Sequence, residues 1–330
     1  MKASIPLILT RPFLLAVFVG GCTSFPLKTR MDQPSSDKVP QGGTLVAEGS
    51  LHTSKNSDPA AHDSNSENQS DKLTSPTQSS SHRLAIVLGP GGARSYAHIG
   101  FLRELQRRKI EPELIAGIEW SALPAALYAS KGYPNEAEWQ MFKLDEASWF
   151  RRQFLPGENK SVSSDIFRED LQKIFGSSMV QNYKIKFVCP SWNMSKSQTY
   201  LMNKGNTAAL IPFCLSHPPQ FRPHQNSVAS LFDLRALADH LRSQGATHIL
   251  YVNLLEGLGP SPFGDDFTAN ALWSGHLSAL QRRQVGIDEI ISIPLGEFSM
   301  RNFDKKKEIL TAGQRRVEES LDRWIKKMGY

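Results

Sequence analysis

Leu84-Ala-Ile-Val-Leu-Gly-Pro-Gly-Gly-Ala-Arg-Ser-Tyr-Ala-His-Ile-Gly-Phe-Leu102 decides how this chain is read. Five consecutive apolar residues ending in glycine mark a short strand buried on both faces. The glycine-rich turn that follows opens a helix through Ala97, Phe101, Leu102 and Leu105, which closes in Arg107-Arg108-Lys109 near its C-terminal end. Leu114-Ile-Ala-Gly117 repeats the strand pattern, and a second helix is predicted from Ala122 to Ser130, with Pro124 near its start and Gly132 as its stop. Later strands are predicted at Ile185–Cys189, His248–Leu254 and Glu289–Ile293. A last helix from about Asp304 to Lys327 sets Leu310, Val317, Leu321 and Ile325 on one face. Strands alternating with helices predict an α/β fold of three layers, α/β/α, around a mainly parallel central sheet.

Upstream of Arg83 the texture is different. Lys2 and Arg11 precede the short apolar stretch Pro12-Phe-Leu-Leu-Ala-Val-Phe-Val19, then Gly20-Gly21-Cys22. A basic start, a short apolar core and a small-residue cleavage site predict a secretory signal over residues 1–21. Val19-Gly20-Gly21-Cys22 resembles a bacterial lipobox, which implies cleavage before Cys22 and lipid attached to it. Thr23 follows, so no Asp suggests inner-membrane retention, and the resemblance favours the outer membrane of a bacterial envelope. Residues 22–82 are dominated by Ser, Asn, Asp, Gln, Thr and Pro and carry no apolar period. They read as a disordered polar tether spanning about 40 Å on average. The folded domain is expected over 83–330. The chain has 330 residues, 38 Lys+Arg against 32 Asp+Glu, and three cysteines. Three cysteines exclude a disulfide-stapled miniature fold. No apolar run reaches the ~18 residues of a spanning helix, which excludes a polytopic membrane protein. Residues 1–82 are charge-balanced, so the excess of +6 belongs to the folded part. It is too diffuse to argue for nucleic acid and suits an anionic membrane surface.

The quoted stretch closely resembles the opening of patatin-like phospholipases: a strand, a Gly-Gly-Gly-x-Arg/Lys-Gly loop and an Ala-His-x-Gly-x-Leu helix, here Ala97-His98-Ile99-Gly100-Phe101-Leu102. That family continues with a second strand ending in Gly-x-Ser-x-Gly and an Ala-rich helix. Gly117-Ile-Glu-Trp-Ser121 and Ala122-Leu-Pro-Ala-Ala-Leu-Tyr-Ala129 stand there in this chain. The resemblance covers about 83–255 well and the C-terminal stretch weakly. It implies a patatin-like fold and a serine acyl hydrolase with a Ser–Asp dyad. The serine sits on a strained strand-to-helix elbow, and glycine N–H groups form an anion-binding nest for the oxyanion.

The reacting groups of that family are not at their positions. Glu119 occupies the nucleophile's place, while Gly117 and the small Ser121 keep the elbow. If Ser121 were the nucleophile, Glu119 and Leu123 would fill positions that must be small. Counting back from Gly245 places the dyad aspartate at Asn226, whose amide is no useful base near neutral pH. Asp233 is the alternative. In the oxyanion loop Gly91, Gly92 and Arg94 are present, with Pro90 and Ser95 replacing glycines. A carboxylate on the elbow is expected to point into the N–H nest and close the pocket.

The flanking residues complete the expectations. His98 is read as a packing or hydrogen-bonding residue, and Trp120 as filling the space of an acyl chain. Cys189 and Cys214 are read as small buried hydrophobes, with pairing in an oxidising compartment as the alternative. The histidines show no metal-ligand spacing, so neither metal nor cofactor is expected. Three functions follow: a lipid-anchored inactive homologue binding an acyl lipid or protein partner in its old cleft, an active acyl-ester or phospholipid hydrolase with a noncanonical site, and a ligand-free envelope scaffold.

Overall fold

The computed structural model describes residues 83–146, 162–218, 221–231, 233–259, 267–281 and 286–328. The expected signal, Cys22 and the tether lie outside these residues. The sheet has seven strands: β1 (Leu84–Leu88), β2 (Leu114–Gly117), β3 (Lys186–Asn193), β4 (Gln198–Met202), β5 (Ser227–Ala229), β6 (His248–Asn253) and β7 (Glu289–Ser292). Its order is β4-β3-β2-β1-β6-β7, with β5 also on β3. The β1–β2, β1–β6, β2–β3 and β6–β7 pairs are parallel, and β4 and β5 run antiparallel to β3. The quoted apolar run is therefore the central strand, with a neighbour on each edge.

Eight helices surround the sheet among the described residues: α1 (Tyr96–Arg107), α2 (Ala122–Lys131), α3 (Pro134–Phe142), α4 (Arg168–Phe175), α5 (Thr207–Leu215), α6 (Leu234–Ser243), α7 (Phe267–Gln281) and α8 (Lys306–Met328). The pleat of β1 divides the core in two. Leu84, Ile86 and Leu88 pack with Phe101 and Leu105 of α1, Ala125 and Ala126 of α2, and Val317 and Leu321 of α8. Ala85 and Val87 face the opposite cluster, with Leu237 and Leu241 of α6 and Trp273 of α7. These are the expected three layers. Helices α1 and α8 cross at two glycines. A Cβ on Gly100 would stand 2.5 Å from the Gln314 nitrogen, and one on Gly313 would stand 2.5 Å from the Ala97 Cβ. Side chains there would force the helices apart and open the core behind β1.

Two sequence readings change. Cys189 of β3 and Cys214 of α5 are joined in a disulfide, not left as separate buried thiols. The register of β3 against the buried helix α5 brings together two cysteines 25 residues apart, a pairing that no local pattern encodes. Strands β4 and β5 form an antiparallel extension of β3 that the sequence reading left out.

Candidate active site

The site lies at the C-terminal ends of β1 and β2, where two turns face each other. After β1 the Gly89 N–H bonds to the Val252 carbonyl at 2.9 Å, and the Ala93 N–H to the Met300 carbonyl at 2.8 Å. Gly92 has φ +53°, and a Cβ on it would stand 2.5 Å from the Met300 oxygen. Both the left-handed backbone and the close approach require glycine there. This turn leaves the N–H groups of Gly91 and Gly92 pointing away from the loop's own carbonyls.

The second turn joins β2 to α2. A Cβ on Gly117 would meet the Ser121 oxygen and the Ala122 Cα at 2.5 Å, so the tight reversal depends on glycine. Glu119 stands at its apex with φ +57°, a left-handed conformation that costs a non-glycine residue about 1–2 kcal/mol. Its side chain is fully buried. Oε2 accepts the Gly91 N–H at 3.2 Å and the Gly92 N–H at 3.0 Å. The carboxylate thus lies in the nest expected to hold an oxyanion. Burial raises the Glu119 pKa above its ordinary 4.5, opposed by the backbone N–H groups of Gly92, Trp120 and Gly91. Oε1 has no hydrogen-bond partner among the described residues. A buried carboxyl with one solvated-like oxygen and one bare oxygen favours its neutral form more than an exposed one does.

Ser121 and His98 lock the two turns together. The Ser121 hydroxyl donates to the Gly89 carbonyl at 2.6 Å and lies 2.8 Å from the Ser95 hydroxyl. His98 Nε2 donates to the same Gly89 carbonyl at 2.8 Å. Burial lowers the His98 pKa to about 4, so the ring is neutral at physiological pH. Ser121 therefore serves as a clasp between turns. Arg94, expected as part of the anion loop, points elsewhere. Its guanidinium donates to the Phe298 carbonyl at 2.8 Å and the Leu254 carbonyl at 2.9 Å, tying the loop to the segments after β6 and β7. Burial lowers its pKa to about 10, still fully charged near neutrality.

Trp120 covers the elbow. It is fully buried and stacks on Phe221 at 6.1 Å, with Phe303 at 5.1 Å and Phe167 at 5.9 Å set edge-on. The tryptophan was legible in the sequence. Its three partners were not, because they come from irregular segments that carry no period.

Asn226 does not join this cluster, which corrects the placement by spacing. Gln225 and Asn226 have φ +46° and +58° and form a two-residue turn closed by mutual bonds between His224 and Ser227 at 2.8 and 2.9 Å. Such turns select asparagine for its left-handed tolerance. Asn226 is exposed, whereas Glu119 is sealed. Asp233, the alternative, caps α6 by accepting the Ala236 N–H at 3.1 Å.

A family model described as patatin-like phospholipase matches residues 86–239. Among curated proteins, the lysophospholipase nte1 of Aspergillus fumigatus is 26% identical over 220 residues, covering 61% of this chain and 14% of the relative. Lysophospholipase NTE1 of Candida albicans is 26% identical over 207 residues, covering 59% and 15%. The chain thus spans about a seventh of the length of these relatives. Among solved structures, VipD from Legionella pneumophila aligns with a TM-score of 0.45 at 11% identity, covering 73% of this chain and 67% of that one. Full-length ExoU in complex with SpcU from Pseudomonas aeruginosa aligns at 0.39 and 14% identity, covering 73% and 52%.

Proposed function

The chain belongs to the patatin-like phospholipase family, and on that premise we propose that this member has given up ester hydrolysis at its elbow. In its place it acts as a lipid-anchored binding protein of the bacterial cell envelope, taking an acyl lipid or a protein partner. The observation that carries the reading is the bond of the Gly91 and Gly92 N–H groups to Glu119 Oε2. A nest already holding a carboxylate has no free donors for the oxyanion of a tetrahedral intermediate. Trp120, the residue next to Glu119, is fully buried against three phenylalanines rather than lining an open cleft.

A carboxylate can itself act as a nucleophile, which is the active alternative. Against it, Glu119 Oε2 is committed to two N–H groups and its side chain is fully buried. The Cys189–Cys214 disulfide supports an oxidising compartment, in keeping with the leader and the lipobox-like Cys22.

The test is turnover of a long-chain phospholipid by the full chain, with Glu119→Ala beside it, followed by mass spectrometry of solvent extracts for retained lipid. The expected result is no phospholipid turnover above the variant. Turnover in the wild type that disappears in Glu119→Ala would make Glu119 a nucleophile and overturn the reading. For the anchor, Cys22→Ser is expected to move the protein from the membrane fraction to the soluble one. An unchanged distribution would refute lipid attachment at that residue.

A further inference from the structure

Outside the elbow, two short segments pair above the aromatic cluster. Val162 bridges Phe221, and the Arg222 N–H bonds to the Val162 carbonyl at 2.8 Å. A few residues further along each segment, Ser164 and His224 meet, with Ser164 Oγ 2.7 Å from His224 Nδ1. They line a cavity of about 310 Å³ together with Asp165, Arg168, Gln172 and Gln225. None of Glu119, Trp120 and Ser121 lines it, so this cavity is distinct from the elbow.

The bond is unusual for a serine at this position. A serine opening a helical turn ordinarily turns its hydroxyl back to the backbone. Here Ser163 takes that duty, accepting the Asp165 N–H, and Ser164 is left to reach across the chain to an imidazole. The ring is held edge to face against Phe213 at 4.6 Å. With Nδ1 accepting the hydroxyl proton, the neutral ring carries its own proton on Nε2. The amides of Gln172 and Gln225 line the same cavity and bring N–H donors of the kind that stabilise a developing oxyanion.

We propose that Ser164 and His224 are a nucleophile–base pair that takes the acyl group of small, water-soluble esters from this cavity. Ser164 Oγ adds to the ester carbonyl carbon while its proton passes to His224 Nδ1. The bond to the alcohol oxygen then breaks, the alcohol leaves with that proton, and Ser164 is left acylated. A water, deprotonated by His224, adds to the acyl carbon, and the carboxylic acid departs as Ser164 recovers its hydroxyl. Burial and the nearby Arg168 lower the His224 pKa, while Asp165 opposes them, so the base is free at neutral pH.

The test treats the full wild-type chain with a small fluorophosphonate, whose phosphorus bonds to an activated serine with release of fluoride, and maps the adduct by peptide mass spectrometry. The expected result is a single adduct on Ser164, formed at a rate that falls as pH drops and His224 is protonated. His224→Gln should slow labelling by about 100-fold or more. Hydrolysis of p-nitrophenyl acetate should follow the same pattern and vanish in Ser164→Ala. No adduct on Ser164 in the folded wild type would overturn the proposal. An adduct whose rate ignores His224→Gln and pH would overturn it too, and would leave the Ser164–His224 bond as a fastening of the cover above Trp120. Because the adduct is mapped on the wild type, the result does not depend on any variant folding.

Discussion

Replacing Glu119 by glutamine isolates the effect of burying an acid in the nest. In the folded protein burial raises the Glu119 pKa above its ordinary 4.5. Between that value and the folded one the native state holds more protons than the unfolded chain, so stability falls as pH rises. The contribution is fully present below pH 4.5, and it is lost as pH climbs through the folded pKa. Each unit of elevation corresponds to about 1.4 kcal/mol. Glutamine has nearly the same shape and can still accept the Gly91 and Gly92 N–H groups through its amide oxygen, but it does not titrate. The difference between Glu119→Gln and wild type should therefore be constant below pH 4.5, and above it the variant should gain on wild type progressively as pH rises through the folded pKa. Glu119→Ala should behave differently, leaving two buried N–H groups without their acceptor at 3.0 and 3.2 Å. At about 1–3 kcal/mol for each stranded donor, the loss is roughly 2–6 kcal/mol below pH 4.5 and shrinks as pH rises, because alanine does not titrate. Urea unfolding followed by tryptophan fluorescence across this range measures both variants. Parallel pH curves for wild type and Glu119→Gln, or an alanine variant as stable as wild type below pH 4.5, would refute the account of the nest.

Trp120→Ala removes a fully buried indole from among Phe167, Phe221 and Phe303 and should cost about 3–5 kcal/mol in urea unfolding. Gly92→Ala combines a left-handed backbone with a Cβ 2.5 Å from the Met300 oxygen, and a loss of more than about 1 kcal/mol is expected by the same assay. Paired replacement of Cys189 and Cys214 by serine should lower stability by about 3 kcal/mol for a loop of this length. Thiol counting in denaturant should find both cysteines unreactive until a reductant is added.

The parts of this fold legible in the sequence are those whose burial follows a period. Strand β1 reads as a buried run because helices lie on both of its faces, and α1 and α8 read from their spaced apolar stripes. Gly117 and Gly92 were also legible, since each marks a turn that admits no side chain. Helix α5 was not, because it is apolar all round and contains Pro212, so it offers neither a stripe nor an ordinary helical interior. Strand β5 is three residues long and exists only through its pairing with β3. The same shortness misled the placement of Asn226. Counting residues back from Gly245 assumes an unbroken connection, and the tight turn at Gln225-Asn226 lies before β5, on the exposed side of it. Ser164 and His224 are 60 residues apart, and no spacing rule joins them.

The elbow and the nest are physically one device, which explains how an acid can replace a serine there without dismantling the turns. The left-handed apex aims whatever side chain it carries at the N–H groups of Gly91 and Gly92. A serine at that apex would present a nucleophile and leave the donors free for a substrate's oxyanion. Glutamate is long enough to reach the donors itself and carries the kind of oxygen they are arranged to bind. The clasp formed by Ser95, Ser121, His98 and the Gly89 carbonyl needs no reacting group, so selection for the geometry of the turns can outlast selection for the reaction. Trp120 beside the apex is fully buried among Phe167, Phe221 and Phe303, which adds apolar contacts to the same turn. The bonds of Glu119 to the nest and the packing of Trp120 both tie the elbow to its surroundings.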